Sequence, residues 1–171
     1  AVMAAIVVVD PRPYMTYAPF LPEVAAGSID PRHAVAPHRF ALPGIDSLQG
    51  KVSRIEHAAR RVEITPEEGD PYWVTYDHLV VGLGAVARTL PIPGLAEVGV
   101  GFKNVEEAIA LRNHVLSRID LAASTWDLDL RRRMLTFCFV GGGFAGIEAL
   151  AELEDMARDA VANYDTIAPE D

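Results

Sequence analysis

The sequence is short of cysteine, of basic charge and of long apolar runs, and each shortage removes a class of function. Cys138 is the one cysteine. It gives no disulfide framework, no Cys-x-x-Cys redox pair and no cysteine-built metal site, and no metal centre is expected. Lysine and arginine together number 15 against 24 aspartates and glutamates, for a formal charge of -9. A surface of that sign excludes a general nucleic-acid partner. No apolar run approaches the ~20 residues of a spanning helix. The opening "AAIVVVD" is strand-like, not a secretory leader. What is plentiful is apolar sequence, 50% of the chain, broken by 12 prolines and 13 glycines scattered between the runs. That is the composition of a loop-rich layout, with room for one domain or one and a part.

Ala5–Val9 is β-branched and closes on Asp10 and Pro11, which predicts a short buried strand of parallel type. "PRPYMTYAPFLP" then predicts an extended, non-helical segment, because each proline removes a donor and restrains its predecessor. Helix is weakly indicated at Glu23–Ala26, with turns at Gly44 and Gly50. "KVSRIEHAARRVEI" alternates, turns near Ala58–Arg60 and is followed by "YWVTY", so an antiparallel ribbon is expected from about 51 to 76. "HLVVGLGA" predicts a strand running into Gly82 and Gly84. Asn104 with Glu107 three residues on predicts a capped helix start. Val105, Ala108, Ile109, Leu111, Val115, Leu116 and Ile119 fall on one side of that helix. "STWDLDLRRR" reads as a polar connection, Met134–Val140 as a strand and Phe144 to about Ala162 as a helix.

Gly141-x-Gly143-x-x-Gly146 sits between that strand and helix and matches the dinucleotide-binding fingerprint. Gly141 makes the tight turn, Gly143 lets the backbone approach a pyrophosphate, and Gly146 lets the helix pack close to the strand. Gly142, Phe144 and Ala145 complete this candidate cofactor-binding stretch. The pattern calls for a second strand ending in a ribose-binding acid. The tail "NYDTIAPED" offers Asp165, Glu170 and Asp171 without an apolar run before them, and reads as solvated. Glu148 near the start of the helix complements its dipole, worth about 0.3–1 kcal/mol. Cys138, inside the apolar run, reads as a buried inert thiol.

"IVVVD", "YMTYAPFLPEVAAG", "GKVSRIE", "YDHLVVGLGA", "LPIPG", "KNVEEAIALRNHV" and "LTFCFVGGGFAGIEALAEL" come in an order that resembles one family. It is the flavin-dependent NAD(P)H oxidoreductases of the two-dinucleotide-fold superfamily, type II NADH dehydrogenase-like proteins above all. The resemblance spans about residues 4–171, and its specificity lies in the order of motifs that are each common alone. It implies a partial Rossmann-like FAD-binding fold over residues 1–103 with the antiparallel ribbon inserted, and the start of an NAD(P)H-binding domain over 104–171. FAD and NAD(P)H are the implied cofactors. Asp10 matches the acid that holds the FAD ribose, and Val52 a residue lining the adenine side. Gly82, Leu83 and Gly84 match the second FAD motif, with Leu83 in place of the usual hydroxyl or proline. Tyr17 to Phe20, Pro19 among them, match the stretch near the flavin ring. Glu148 matches an acid where nicotinamide and flavin meet, and is the one catalytic candidate. Other readings stay open: Asp10 as the start of a turn, Gly82 and Gly84 as a strand end, and Tyr14, Tyr17 and Phe20 as core packing.

The same resemblance implies an oxidoreductase passing hydride from NAD(P)H to FAD and electrons to a small-molecule acceptor such as a quinone. The lone cysteine does not fit the disulfide-reductase branch. A cytoplasmic protein is implied, peripheral on the inner membrane face when intact. Against the family pattern the FAD fingerprint that would precede "IVVVD" is missing, and so is the remainder of the nicotinamide domain. The chain is therefore expected to be a fragment that retains FAD weakly and does not turn over. Two hydrogen bonds to a charged pyrophosphate, at about 1.5–3 kcal/mol each, correspond to ~10²–10⁴ in affinity. Ala5–Val9 and His78–Gly82 would lose ladder partners and either pair with each other or leave open edges. The alternative from another class is a non-catalytic nucleotide-binding or interaction module, and a third is a scaffold without a ligand.

Overall fold

The computed structural model describes residues 5–86 and 89–168. The chain forms two compact units, one of residues up to Met15 with Val35–Ala85, the other of Thr16–Ala34 with Val86 onward. Glu170 and Asp171, two of the tail acids considered above, lie outside the described residues.

The first unit is built on strands. In chain order they are β1 (Val7–Asp10), β2 (Tyr14–Thr16, whose last residue belongs to the second unit), β3 (Val35–Pro37), β4 (Asp46–Gln49), β5 (Lys51–Glu56), β6 (Arg61–Thr65) and β7 (Tyr72–Thr75). β1 is parallel, as its composition predicts, and its partner is β4, in the register Val7↔Asp46 to Asp10↔Gln49. It is less buried than expected: Val7 is exposed and Val8–Asp10 are half-buried. The expected segment His78–Gly82 forms no ladder among the described residues, so its expected pairing with Ala5–Val9 is not realised, and β1 pairs with β4 instead. An apolar run becomes a strand only when a neighbour takes its N–H and C=O groups, and among the described residues no strand pairs with this one.

The ribbon expected at 51–76 is a three-stranded antiparallel sheet in the order β5-β6-β7. Alternation along β6 buries Val62 and Ile64 and leaves Arg61, Glu63 and Thr65 on the other face. There Arg61 lies 4.3 Å over the Trp73 ring while its guanidinium holds Glu56 at 2.6 Å. The β5–β6 hairpin turns through His57–Ala59 and Arg60, whose φ of 47° is left-handed.

The second unit is helical. Its elements are α1 (Leu21–Ala26), then, past the four-residue α2 (His38–Ala41) of the first unit, α3 (Leu95–Val98), α4 (Val105–Ala123), α5 (Leu128–Met134) and α6 (Phe144–Val161). The proline-rich segment is extended only through β2. Ala18–Phe20 is a 3-10 turn, and Pro22 stands in the first turn of α1, where its missing donor costs nothing. α1 ends on Gly27 at φ 79°. α4 starts as predicted: the Asn104 side chain accepts from Glu107 N at 2.8 Å, and Glu107 Oε2 accepts from Lys103 N at 2.6 Å.

α1, α4 and α6 pack on one another through Val24, Ala25, Val105, Ala108, Val115, Ile119, Ala149 and Leu153. The alanines among them let the helix backbones approach closely. Of the expected α4 stripe, Ile109, Leu111 and Leu116 are half-buried. The "polar connection" is in fact α5, nucleated by Asp127, which caps Asp129 N and Leu130 N at 3.0 Å each. Its Arg131 reaches back to the Ala122 and Thr125 carbonyls and so satisfies the end of α4.

Residues 135–140 form no strand among the described residues, against the expectation for Met134–Val140, and Met134 closes α5. Cys138 in this stretch is exposed, not buried. The tail is not simply solvated either. Ile167 is 5% exposed, Thr166 Oγ1 donates to the Ala123 carbonyl at 3.1 Å, and Tyr164 donates to Asp120.

Candidate nucleotide-binding site

The glycine turn is assembled from the backbone outward. Gly141 has φ 109°, a value L side chains rarely adopt, so the sharp reversal there depends on glycine. Gly143 is the N-cap of α6, and its carbonyl accepts from Gly146 N at 3.0 Å and Ile147 N at 3.1 Å. No side chain caps this end, and no acidic residue stands in the first turn. The N–H groups of Phe144 and Ala145, first in the helix, have no carbonyl a turn earlier to bond. They sit at the positive end of the helix dipole.

A Cβ at Gly141, Gly142 or Gly143 would meet nothing within 4 Å, so the turn opens on free space. Phe144, at 91% exposure, and Ala145 are not packed into the protein. Chemically this is an anion seat made of amides, and a pyrophosphate fits it. Gly146 differs from the other glycines of the motif: its would-be Cβ stands 3.5 Å from the Gly141 carbonyl, an ordinary contact. Glu148 is exposed on α6, about one turn in from this end.

Asp10 ends β1, half-buried, and its Oδ1 accepts from Arg12 N at 2.8 Å. The turn reading of Asp10 is thus realised, and it engages one of the two carboxylate oxygens. Val52 lies on β5 opposite Ile64, half-buried. Gly50 joins the two positions, donating its N–H to the Asp10 carbonyl at 3.0 Å. Gly82, Leu83 and Gly84 are exposed, with Gly84 at φ 71°. Tyr17 is 56% exposed and meets Phe20 edge-on at 4.8 Å, so neither ring is core packing; Pro19 is exposed beside them. Asp10, Val52 and Gly82–Gly84 therefore belong to the first unit, and Tyr17, Pro19, the glycine turn and Glu148 to the second. Gly50 escaped the sequence reading as anything but a turn. Its signal was its place directly before Lys51 and Val52.

A family model described as pyridine nucleotide-disulphide oxidoreductase matches residues 3–167. The chain belongs to this family. It is 32% identical over 169 residues to the external alternative NADH-ubiquinone oxidoreductase, mitochondrial, of Yarrowia lipolytica, covering 93% of this chain and 29% of the relative. It is 31% identical over 145 residues to the type II NADH:quinone oxidoreductase Ndh of Mycobacterium tuberculosis, covering 83% of this chain and 31% of the relative. The chain thus spans less than a third of the length of these relatives. Among solved structures, NDH2 from Plasmodium falciparum in complex with NADH superposes with a TM-score of 0.85 at 23% identity, over 95% of this chain and 35% of the other. The α/β fold expected from the sequence is therefore that of a dinucleotide-binding oxidoreductase. Among the described residues no helix is long and apolar enough to cross a membrane, and no cluster of His, Cys, Asp and Glu is able to hold a metal ion.

Proposed function

We propose that this chain serves an FAD-dependent NAD(P)H dehydrogenase in which hydride passes from nicotinamide to flavin and electrons go on to a quinone. Residues 1–103 are read as part of the FAD-binding domain and 104–171 as the opening of the NAD(P)H-binding domain. The observation that carries the reading is the uncapped, acid-free start of α6 directly behind Gly141 at φ 109°. The names of the relatives, NADH-ubiquinone and NADH:quinone oxidoreductases, support the choice of donor and acceptor.

Bound flavin supplies the hydride-accepting chemistry, and the chain supplies binding, orientation and charge. The N–H groups of Gly142 to Ala145 and the α6 dipole hold the NAD(P)H pyrophosphate. Asp10, half-exposed at the end of its strand, takes a ribose hydroxyl of FAD, and Val52 lines the adenine side. Gly82-Leu83-Gly84, exposed and with nothing within 4 Å of where a Cβ on either glycine would stand, would give backbone access to the same group. Tyr17 and Pro19 border the flavin ring. Glu148, exposed on α6, would bring its negative charge to the reacting end of the nicotinamide. Membrane contact in the whole protein is peripheral.

Calorimetric titration of the chain with NADH, ADP-ribose and FAD tests the proposal. Binding of NADH and ADP-ribose, weakened about tenfold or more in Gly141→Ala, is expected. No response to either nucleotide would remove the basis of the reading, and tight ADP-ribose binding indifferent to residue 141 would favour a nucleotide-binding module of another kind.

A further inference from the structure

The first unit holds a cavity of about 360 Å³ that shares no residue with the cofactor set above. Tyr14, Val35 and Pro37 form apolar walls, and His38, Arg39 and Ser47 bring polar groups to it. His38 is 5% exposed, the one buried polar or charged residue among those described. Its backbone is fixed from both sides: its N–H donates to the Pro13 carbonyl at 3.0 Å, and its carbonyl accepts from Leu42 N at 2.8 Å. Its Nδ1 stands 3.4 Å from Ser47 Oγ.

Burying an imidazole is costly unless its nitrogens are satisfied. In the tautomer that accepts from Ser47, Nε2 carries the proton and is the donor left for a ligand. The guanidinium of Arg39 lies over the Phe40 ring at 5.0 Å. The lining therefore includes an arginine, a histidine, a serine and the Gln49 amide but no carboxylate residue, in a chain of net charge -9. A local excess of donors and positive charge against an acidic background selects an anion. The apolar side of this half-open cleft, Tyr14, Val35 and Pro37, suits an apolar body to carry it, the usual division of labour in a small-molecule pocket.

We propose that this cavity binds a small aromatic carboxylate, its ring between Tyr14, Val35 and Pro37 and its carboxylate toward Arg39 and His38. A planar carboxylate suits the guanidinium fork. The test uses the full chain with benzoate as the probe, benzamide as its neutral isostere and acetate as the anion without a ring. The readout is the imidazole NMR signals of His38.

Benzoate is expected to shift those signals saturably, with affinity at least about tenfold above benzamide and acetate. Arg39→Gln, at an exposed position, should weaken benzoate by about tenfold while the far-UV spectrum and melting temperature stay as in the parent. Ser47→Ala should weaken it too and move the unliganded His38 signals. No saturable shift up to about 10 mM benzoate, or equal binding of benzamide, or an Arg39→Gln chain that binds as well as the parent would overturn the proposal. Displacement of benzoate by ADP-ribose or FAD would also overturn it, by making the cavity part of the cofactor site.

Discussion

The Ile64 side chain occupies the space that a side chain at residue 50 would need. A Cβ built on Gly50 stands 2.8 Å from Ile64 Cγ2 and 2.9 Å from the Thr65 carbonyl. Ile64 is fully buried, and Gly50 bonds the Asp10 carbonyl, so one glycine seats both the sheet core and the end of β1. Gly50→Ala is expected to destabilise the first unit by about 1–3 kcal/mol through overpacking. Truncating Ile64 as well should relieve only part of that strain, because the Thr65 carbonyl stays in place. Urea unfolding followed by Trp73 fluorescence, in a Trp126→Phe background, measures it. An unchanged midpoint would mean the β5–β6 hairpin gives way freely at Gly50.

A second prediction concerns the start of α4. Asn104 Oδ1 is the acceptor for Glu107 N at 2.8 Å, and this bond fixes where the longest helix of the second unit begins. Asn104→Ala should cost about 1 kcal/mol. The loss is local, so amide exchange should quicken at Val105–Ala108 before it does at Val115–Ile119. Uniform acceleration along the helix would instead assign Asn104 a role in global stability.

These two sites also show what was legible in one dimension. The Asn104–Glu107 spacing, the alternation in β6 and the glycine turn before α6 are local patterns, and these survive in the fold, whereas the alternation of β5 is broken by a register shift between Val52 and Arg54 that leaves Ile55 exposed. The parallel character of β1 was legible from its β-branched run, but not that β4 is its partner. Pairing is decided by which segment supplies donors and acceptors, not by the run itself. For the same reason two other apolar stretches mislead: Leu79–Val81 and Phe137–Val140 have strand composition and no ladder. α5 was hidden because all seven of its residues escape full burial and so leave no periodic apolar stripe. It exists through the Asp127 cap and the Arg131 bonds to α4. Within the candidate site, the residue types of the glycine turn were readable, while the missing side-chain cap and the open space around it were not.

Asp30 gives a pH prediction. Arg32 donates Nε to Oδ1 at 3.0 Å and Nη2 to Oδ2 at 2.9 Å, and its backbone N–H donates to Oδ1 at 2.9 Å. The side-chain bonds first, then the backbone bond, hold the carboxyl well below the usual carboxylate range. A carboxyl with a lowered folded-state value binds its proton less readily than in the unfolded chain. Its contribution to stability is therefore complete above the ordinary value of about 3.9 and is lost as pH falls below that toward the folded value. The pair is exposed, so the effect on overall stability is small. Carboxyl-carbon NMR of Asp30 should show almost no titration down to about pH 3, and Arg32→Met should move the midpoint up toward the ordinary range, short of it by what the retained backbone N–H bond contributes. A midpoint near 4 in the parent chain would contradict the bidentate geometry.

The glycine turn yields a contrast between two substitutions of the same kind. At Gly141 the backbone lies at φ 109°, and a new Cβ meets nothing within 4 Å. Gly141→Ala is thus opposed by backbone strain alone, about 1–3 kcal/mol. Every residue from Cys138 to Ala145 is exposed, so the turn can escape that strain by changing shape without unfolding the helix. The melting temperature should move little, while ADP-ribose affinity falls by about tenfold or more as the amides lose their common aim. Gly146 is already inside α6, where its Cβ would touch the Gly141 carbonyl at an ordinary 3.5 Å. Gly146→Ala should leave the helix equally stable or firmer by up to about 0.5–1 kcal/mol, because alanine has less backbone freedom to lose. Thermal unfolding and nucleotide titration of both variants separate the two effects. A Gly146→Ala chain that melts earlier would show that this position needs glycine for packing, and an undiminished affinity in Gly141→Ala would show that the left-handed turn does not aim the amides.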